Sequence, residues 1–144
     1  MKEAFGGIFN FVFLAIFLVI AIGLLGFTFS YAKAFKMKNA IIATIEEYEG
    51  NLGHSGCQAK IKNEAKSLGY NKISKSCPSD FSVSPDGFYC YSSVTRNIPD
   101  TNPQMKSRYY TVVVQVDIGL PLIKNIVGFS VLEVSGDTKE IVLR

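Results

Sequence analysis

The chain has 144 residues and a formal net charge of +3 at pH 7. A net charge this small provides no strong attraction for polyanions, so we expect no nucleic-acid partner. One apolar segment dominates the first third of the chain, and about 95 residues follow the helical region around it, enough for one small domain with a modest core.

The apolar segment covers residues 8–30, IFNFVFLAIFLVIAIGLLGFTFS, and contains no charged side chain. A helix needs roughly 20 apolar residues to cross a bilayer core, where it satisfies its own backbone hydrogen bonds. A cleavable signal peptide would have an apolar run of only about 7–15 residues. We therefore predict a retained transmembrane helix over residues 8–30, after a short head of residues 1–7. The side chains expected to contact lipid or neighbouring helices are Phe13, Phe17, Ile20, Leu24 and Phe27.

Gly6 and Gly7 stand directly before this segment, at the kind of boundary where prepilin peptidases cut after a Gly. That cut normally accompanies a Glu at the fifth position of the mature chain. Counted from Ile8, this position holds Val12. Two interpretations stay open, a processing site at Gly6-Gly7 or two flexible residues at a helix start, and we predict that most of the chain keeps its N-terminus.

The helix is expected to continue beyond the apolar segment, because residues 31–49 contain neither Pro nor Gly. Apolar residues recur there at helical spacing and predict one buried stripe, in which Ile41 and Ile45 are central packing residues. The stripe consists of Ala34, Met37, Ile41, Ile45 and Tyr48.

Three acidic residues, Glu46, Glu47 and Glu49, lie at the end of this amphipathic extension. A helix dipole disfavours acidic groups at the C-terminal end. Either these carboxylates are solvated, or they meet a basic partner.

Residues 50–144 are predicted to form one domain with a second helix and several strands. Apolar spacing places the second helix at residues 57–68, ended by Gly69. Its lysine-rich face is either solvated or contacts an anionic surface. The residues expected on its apolar face are Ala59, Ile61, Ala65 and Leu68.

Alternation of apolar and polar residues predicts strands at 87–96 and 108–118, the latter with one buried and one solvent-facing side. Residues 127–134 and 139–143 are predicted to form a hairpin around a turn at residues 135–138. The predicted fold class is therefore α+β. A long N-terminal transmembrane helix continues as an amphipathic helix and packs on a small antiparallel β-sheet.

No residue set typical of catalysis is present, and we expect neither an enzyme nor a bound cofactor or metal. The segment GHSGC at residues 53–57 resembles a nucleophile elbow, but that motif requires Gly at position 57 and a preceding strand. His54 is the only histidine and leaves no spare base for a triad, so we expect it in a surface loop. The cysteines do not have the spacing of a zinc site.

The three cysteines, Cys57, Cys77 and Cys90, all follow the apolar segment. In a small domain on the oxidising side of a membrane, this number suggests one disulfide and one remaining thiol. Three pairings are open. We favour Cys77–Cys90, because Pro and Gly residues between them turn the chain back, with Cys57–Cys77 next. Cys57 begins the predicted second helix, where a thiolate is stabilised, and is the candidate for a free or intermolecular thiol.

The C-terminal third carries three segments that resemble a known family: YYTV at residues 109–112, DIGLPLI at 117–123 and VSGDTK at 134–139. Together with the N-terminal layout, they are similar to TadE/TadF-like pseudopilins of tight-adherence pilus systems. The resemblance implies a pilin-like subunit that assists the assembly or priming of a surface filament or secretion apparatus. It also implies other pilin-like subunits, in a homo- or hetero-oligomer, and an assembly platform as partners.

The sequence gives conflicting signals about the side of the membrane on which the C-terminal domain lies. Lys33, Lys36 and Lys38 against Lys2 favour a cytoplasmic C-terminal domain by the positive-inside rule. The cysteines and the family resemblance favour an extracytoplasmic one, and long folded domains translocate despite flanking charge. We expect a single-pass protein of the cell membrane with its domain outside. The alternative function is a membrane-anchored extracytoplasmic binding or envelope-complex domain with no filament role.

Overall fold

The computed structural model describes residues 1–98, 105–118, 125, 128 and 131–143. In this part of the chain, two helices pack on an antiparallel sheet, which confirms the predicted α+β class. The elements are α1 (Lys2–Glu47), α2 (Ser55–Ser67), β1 (Ser82–Val83), β2 (Cys90–Asn97), β3 (Lys106–Asp117), β4 (Val131–Asp137) and β5 (Ile141–Leu143).

Helix α1 is continuous from the apolar segment into the domain and ends at Glu47, two residues before the expected end. Its end is closed by Gly50, whose N–H donates to the Ile45 carbonyl at 2.9 Å and whose φ is +75°. A Cβ at Gly50 would lie 2.7 Å from the ring of Tyr110. The backbone conformation and the close approach of Tyr110 therefore both require glycine here.

The apolar stripe of α1 forms the centre of the core, as its spacing predicted. Ile41 and Ile45 have no exposed surface, and neither do Ala34 and Met37, whereas Tyr48 at the end of the stripe is half-buried. The other core residues come from α2, one side of β3, β4 and the loops between the elements. They include Cys57, Ile61, Ala65, Tyr110, Val112, Val114 and Val116.

Helix α2 runs antiparallel to α1 and ends in the predicted glycine stop. Gly69 has a φ of +61°, and the next N–H donates to the Ala65 carbonyl at 2.7 Å. Two residues of its predicted apolar face are not fully buried: Ala59 is exposed and Leu68 is half-buried. Cys57, Ile61 and Ala65, four residues apart, are the buried ones, because they face α1 and the sheet.

The predicted C-terminal hairpin is wrong. Strand β4 pairs with residues 111–117 of β3, and β5 pairs with residues 106–108 of the same strand. Strand β2 occupies the opposite edge of β3 at residues 106–113. Strands β4 and β5 therefore follow one another along a single edge of β3 instead of turning back on each other. Residues 127, 129 and 130 of the predicted hairpin, like residues 119–123 of the segment DIGLPLI, lie outside the described residues.

A β-bulge separates β4 from β5. Asp137 lies opposite Thr111 and Ile141 lies opposite Arg108, so the three residues 138–140 face the two residues 109–110. Thr138 holds this bulge in place, because its N–H donates to the Tyr110 carbonyl and its Oγ1 accepts from the Tyr110 N–H, both at 2.9 Å. The turn-like composition at this point therefore serves a bulge.

Gly136 lies inside β4 because the sheet approaches α1 closely there. A Cβ at this position would lie 2.8 Å from Lys38 Cδ and 3.0 Å from Ile42 Cδ1. Only glycine allows the helix and the strand to pack at this separation without a shift. A Gly between Ser and Asp thus indicates close helix–strand packing in this chain, although its sequence context is typical of a turn.

The side of β3 that was expected to face solvent is covered at Val113 and Gln115, which are 5% and 4% exposed. The loop after α2 crosses this side of the sheet. Gln115 Oε1 accepts from the Lys75 N–H at 3.2 Å, and Gln115 Nε2 donates to the Ser76 carbonyl at 3.4 Å. The expectation of a solvent-facing side is therefore wrong at these two residues.

Tyr70 completes the backbone hydrogen bonding of β3 where β2 ends. The last β2 partner is Cys90, opposite Val113, so Gln115 lies beyond the paired residues of that strand. The Tyr70 hydroxyl accepts from the Gln115 N–H at 3.0 Å and donates to the Gln115 carbonyl. Burial raises the pKa of Tyr70 to about 12, so this hydroxyl stays protonated as the double contact requires.

Replacing Tyr70 with Phe is expected to lower the free energy of unfolding by about 1–3 kcal/mol, because it leaves a buried N–H and a buried C=O unpaired. Urea unfolding of the full chain in detergent micelles measures the change. Tyr109→Phe is the matched control. Its ring keeps the contact with Arg96, so we expect only a small decrease in the free energy of unfolding. Equal effects of the two substitutions would show that Tyr70 contributes only its ring.

Candidate functional site

The first feature with functional meaning is the free N-terminal part of α1. By length and composition, α1 contains one stretch that is long and apolar enough to cross a membrane, and none of this stretch is buried against the domain. Phe13, Phe17, Ile20 and Leu24 are all more than half exposed, whereas Phe27 is half-buried. Each large apolar side chain gains about 1.5–3 kcal/mol from leaving water. This helix surface therefore requires an apolar environment or a partner.

Gly6 and Gly7 lie within the first turns of α1, and apart from the adjacent residues and the helix's own backbone, no atoms lie within 4 Å of the position of a Cβ at either residue. The sequence interpretation of this pair as a processing site stays a prediction. Its alternative, two flexible residues at a helix start, stays open as well.

The junction between the apolar segment and the domain combines aromatic and basic residues. Tyr31 and Phe35 are nearly half exposed, and Lys33, Lys36 and Lys38 alternate with them along the helix. The ammonium of Lys38 lies 4.2 Å from the centroid of the Phe35 ring. Aromatic rings and lysines of this kind are enriched where a helix leaves the hydrocarbon core, because each side chain has an apolar body and a polar tip.

The acidic end of α1 meets partners within the same chain. Glu47 forms an ion pair with Lys60 of α2, and Glu46 Oε1 accepts from the Lys139 N–H at 2.8 Å. Both possibilities named from the sequence apply to Glu47, since its side chain is 54% exposed and also pairs with Lys60. The lysine-rich face of α2 thus stabilises the connection between the helices, at Lys60 at least. Glu49 is exposed.

His54 caps the N-terminus of α2 and is exposed, in agreement with a surface role. Its Nδ1 accepts from the Gly56 N–H at 3.1 Å, and its ring lies 5.1 Å from that of Tyr48. These contacts connect the start of α2 to the end of α1. Within the described ranges, His, Cys, Asp and Glu side chains form no group of three that could hold a metal ion.

Cys77 and Cys90 form a disulfide, the pairing favoured from the sequence, with their Cα atoms 5.7 Å apart. Cys90 is fully buried beside Val113 on the covered side of the sheet. The bridge therefore fastens the loop that crosses this side to strand β2. Residues 75–77 cover Val113 and Gln115 only if this loop stays in place.

Cys57 does not have the properties expected at a helix start. It has no exposed surface and is the one unpaired cysteine of the three. Burial raises the pKa of the Cys57 thiol, and Asp86 and Glu47 raise it further, because negative charges disfavour the thiolate. The expectation of a stabilised thiolate is therefore corrected, whereas of the two alternatives for Cys57, a free or an intermolecular thiol, the structure has the free one. Packing against α1 outweighs the helix N-terminus here.

We expect iodoacetamide to modify Cys57 slowly in the folded chain and rapidly after denaturation, because the thiol is buried and protonated. Intact mass should show one modification in denaturant without reductant, and three after reduction. An Ala59→Cys variant, at an exposed position on the same helix, is the matched control and should react at once in the folded protein. Rapid modification of Cys57 in the folded chain would contradict its burial.

A second feature of interest is a polar cleft of about 240 Å³ at the end of the domain nearest the apolar segment. The cleft is lined by Lys33, Gly69, Tyr70, Asn71, Lys72, Ser74, Gln115, Val116 and Asp117. Sequence patterns did not indicate it, because its walls come from α1, the loop after α2 and the end of β3. Residues this far apart in the chain have no common local signal.

No known protein family, no characterised protein and no solved structure matches this chain. The architecture, a long apolar N-terminal helix packed on an antiparallel sheet, is pilin-like.

Proposed function

We propose that this protein is a membrane-anchored, pilin-like subunit that assists the assembly or priming of a surface filament or secretion apparatus. The observation that supports the proposal most strongly is the double use of α1. Its C-terminal part is the centre of the domain core, and its N-terminal part leaves large apolar side chains exposed. A single rigid element thus connects a folded domain to an apolar surface that needs a partner.

The exposed part of α1 suits two environments. In a bilayer, its side chains contact lipid tails, and in a filament the same side chains contact the helices of neighbouring subunits. Both environments keep the apolar surface away from water, so transfer between them leaves the largest hydrophobic contribution unchanged. Gly23 and Gly26 add a place where another helix backbone approaches closely.

The Cys77–Cys90 disulfide supports an extracytoplasmic domain, because disulfides persist mainly in oxidising compartments. The lysines at the junction favour the opposite orientation by the positive-inside rule. In the proposed orientation, these lysines lie at the outer surface of the membrane. Long folded domains translocate despite such charges, so the proposed orientation follows the disulfide.

We expect most of the protein to keep its N-terminus, because Val12 stands where processed pilins have Glu. Intact mass of protein purified from its native host measures this. A species that begins at Gly7 or Ile8 would show that the Gly6-Gly7 boundary is cut.

Cysteine scanning tests the proposed helix contacts directly. The native thiols do not interfere, since Cys57 is buried and the other two are bridged. Single cysteines placed at residues 12–27 are oxidised in native membranes, and the products are identified by mass spectrometry. We expect cross-links to this chain or to another pilin-like subunit that recur every three to four residues, as one packed helix face requires. Cross-links without this period, or none, would contradict the proposal.

Electron microscopy of host cells with and without the protein separates the filament role from a plain anchored domain. We expect fewer or shorter surface filaments in its absence and recovery on complementation. Unchanged filaments, with no pilin-like subunit or secretion ATPase copurifying, would instead favour the anchored binding or envelope-complex domain.

A further inference from the structure

The polar cleft beside Lys33 lies at the depth of lipid head groups when α1 spans a bilayer. The apolar segment ends at Ser30, and Lys33 is three residues further, or about 4.5 Å along the helix axis. The head-group layer on each side of a bilayer is about 5–7 Å thick, from the difference between total and hydrocarbon thickness. The cleft therefore opens into a layer where phospholipid head groups are the most concentrated ligand.

The cleft carries charges of both signs. Lys33, Lys72 and Asp117 all contribute to its lining, and the Lys72 ammonium lies 6.0 Å from the centroid of the Phe88 ring. The Lys33 ammonium has one long contact with the described residues, to the Gly69 carbonyl at 3.4 Å, and an ammonium has three donors. Asp117 is exposed. A ligand with a phosphate and a protonated amine would find a complementary group for each.

We propose that this cleft binds the head group of an amine-bearing phospholipid, with its phosphate at Lys33 and Lys72 and its ammonium at Asp117. The proposal rests on the membrane anchoring proposed above. A cleft of about 240 Å³ suits a head group better than a drug-sized molecule, since pockets for such molecules have volumes of roughly 300–1,000 Å³. Binding would fix the height and rotation of the domain on the membrane, because α1 and β3 both contribute to the cleft.

Two related head groups fit the cleft less well, which makes the proposal specific. A glycerol head group has the phosphate but no cation for Asp117. A choline head group has the cation, but its quaternary nitrogen has no N–H to donate to a carboxylate. The expected order of binding is therefore phosphatidylethanolamine before phosphatidylcholine and phosphatidylglycerol.

The test uses the full chain in nanodiscs with equal parts of the three phospholipids. Native mass spectrometry after release counts the lipids that remain bound. We expect wild type to retain phosphatidylethanolamine preferentially, by roughly fivefold, as one partly exposed ion pair predicts. Asp117→Asn should remove this preference over phosphatidylcholine, and Lys33→Gln should lower the retention of all three lipids.

Two matched controls separate the cleft from general surface charge. Lys36→Gln removes the same charge one turn along α1, and Asp80→Asn removes an exposed carboxylate from the loop, both outside the cleft lining. We expect both to behave like wild type. Retention in the input ratio, a preference for phosphatidylglycerol, or equal losses in Lys33→Gln and Lys36→Gln would each overturn the proposal.

Failure of the cleft proposal is distinguishable from failure of the anchor. Carbonate extraction of the same proteins from vesicles of the same three lipids reports integration independently. Loss of head-group preference in a chain that stays integrated would overturn the cleft alone. A wild-type chain that is extracted would overturn the anchor, and with it the basis for the cleft.

Discussion

Replacing Leu18 with Arg is expected to weaken membrane integration by about 2.5–3.5 kcal/mol on insertion scales, one of the two largest effects we expect in this chain. Leu18 lies near the middle of the apolar segment and is about half exposed on α1. An arginine there would place a charge near the bilayer centre. The fraction of protein that resists carbonate extraction from native membranes measures the effect.

The domain itself should not change in this variant, because Leu18 lies far from the core stripe that begins at Ala34. Leu18→Phe is the matched control, since it changes the shape of the side chain and keeps it apolar. Unchanged integration of the arginine variant, or equal losses in both variants, would count against a spanning helix.

Removing the disulfide by Cys77→Ala and Cys90→Ala is expected to lower the free energy of unfolding by about 3 kcal/mol, the value of the chain-entropy model for a loop of about 14 residues. The structure gives a second reason for a large effect. The bridge holds the loop whose backbone at Lys75 and Ser76 hydrogen-bonds to the buried Gln115, so a released loop leaves the amide of Gln115 without these partners. Urea unfolding of the full chain in detergent micelles, compared with wild type, measures the loss.

Cys57→Ala is the control for this variant, because it removes a cysteine and leaves the bridge intact. We expect this variant to lose less free energy of unfolding than the double variant, because only packing around residue 57 is lost. A loss well below 1 kcal/mol in the double variant would show that the loop stays in place without the bridge. Non-reducing peptide mapping in the native host also tests the orientation, since three alkylatable thiols in freshly lysed cells would indicate a cytoplasmic domain.

The helices were predictable because their signals are local. The four-residue spacing of Met37, Ile41 and Ile45 reflects the helical repeat, and the same repeat determines which side chains face the core. Gly69 was correctly assigned as the residue that ends α2, because a helix commonly ends in a left-handed backbone conformation that glycine adopts readily. The predicted end of α1 and both predicted ends of α2 differ from the structure by two residues at most, whereas α1 begins at Lys2, within the expected head of residues 1–7.

The errors concern contacts between distant segments. Gly136 was assigned to a turn, but α1 packs against it and keeps it inside β4. Ala59 was assigned to the buried face of α2 together with Ile61, but in the structure Cys57 is buried there instead and Ala59 is exposed. In each position, the composition suits more than one local structure, and the packing partner selects among them.

The sequence by itself determined the apolar segment, the continuous helix and the stripe that forms the core, because hydrophobic periodicity is written in neighbouring residues. It also made Cys77–Cys90 the favoured pairing through the turns between the two cysteines. Only the tertiary structure decided that β4 and β5 share one edge of β3, that Tyr70 pairs with the backbone of Gln115, and that Lys33 and Asp117 line one cleft. These arrangements depend on which separate elements come into contact, and residues that lie far apart in the chain share no local pattern that would indicate it.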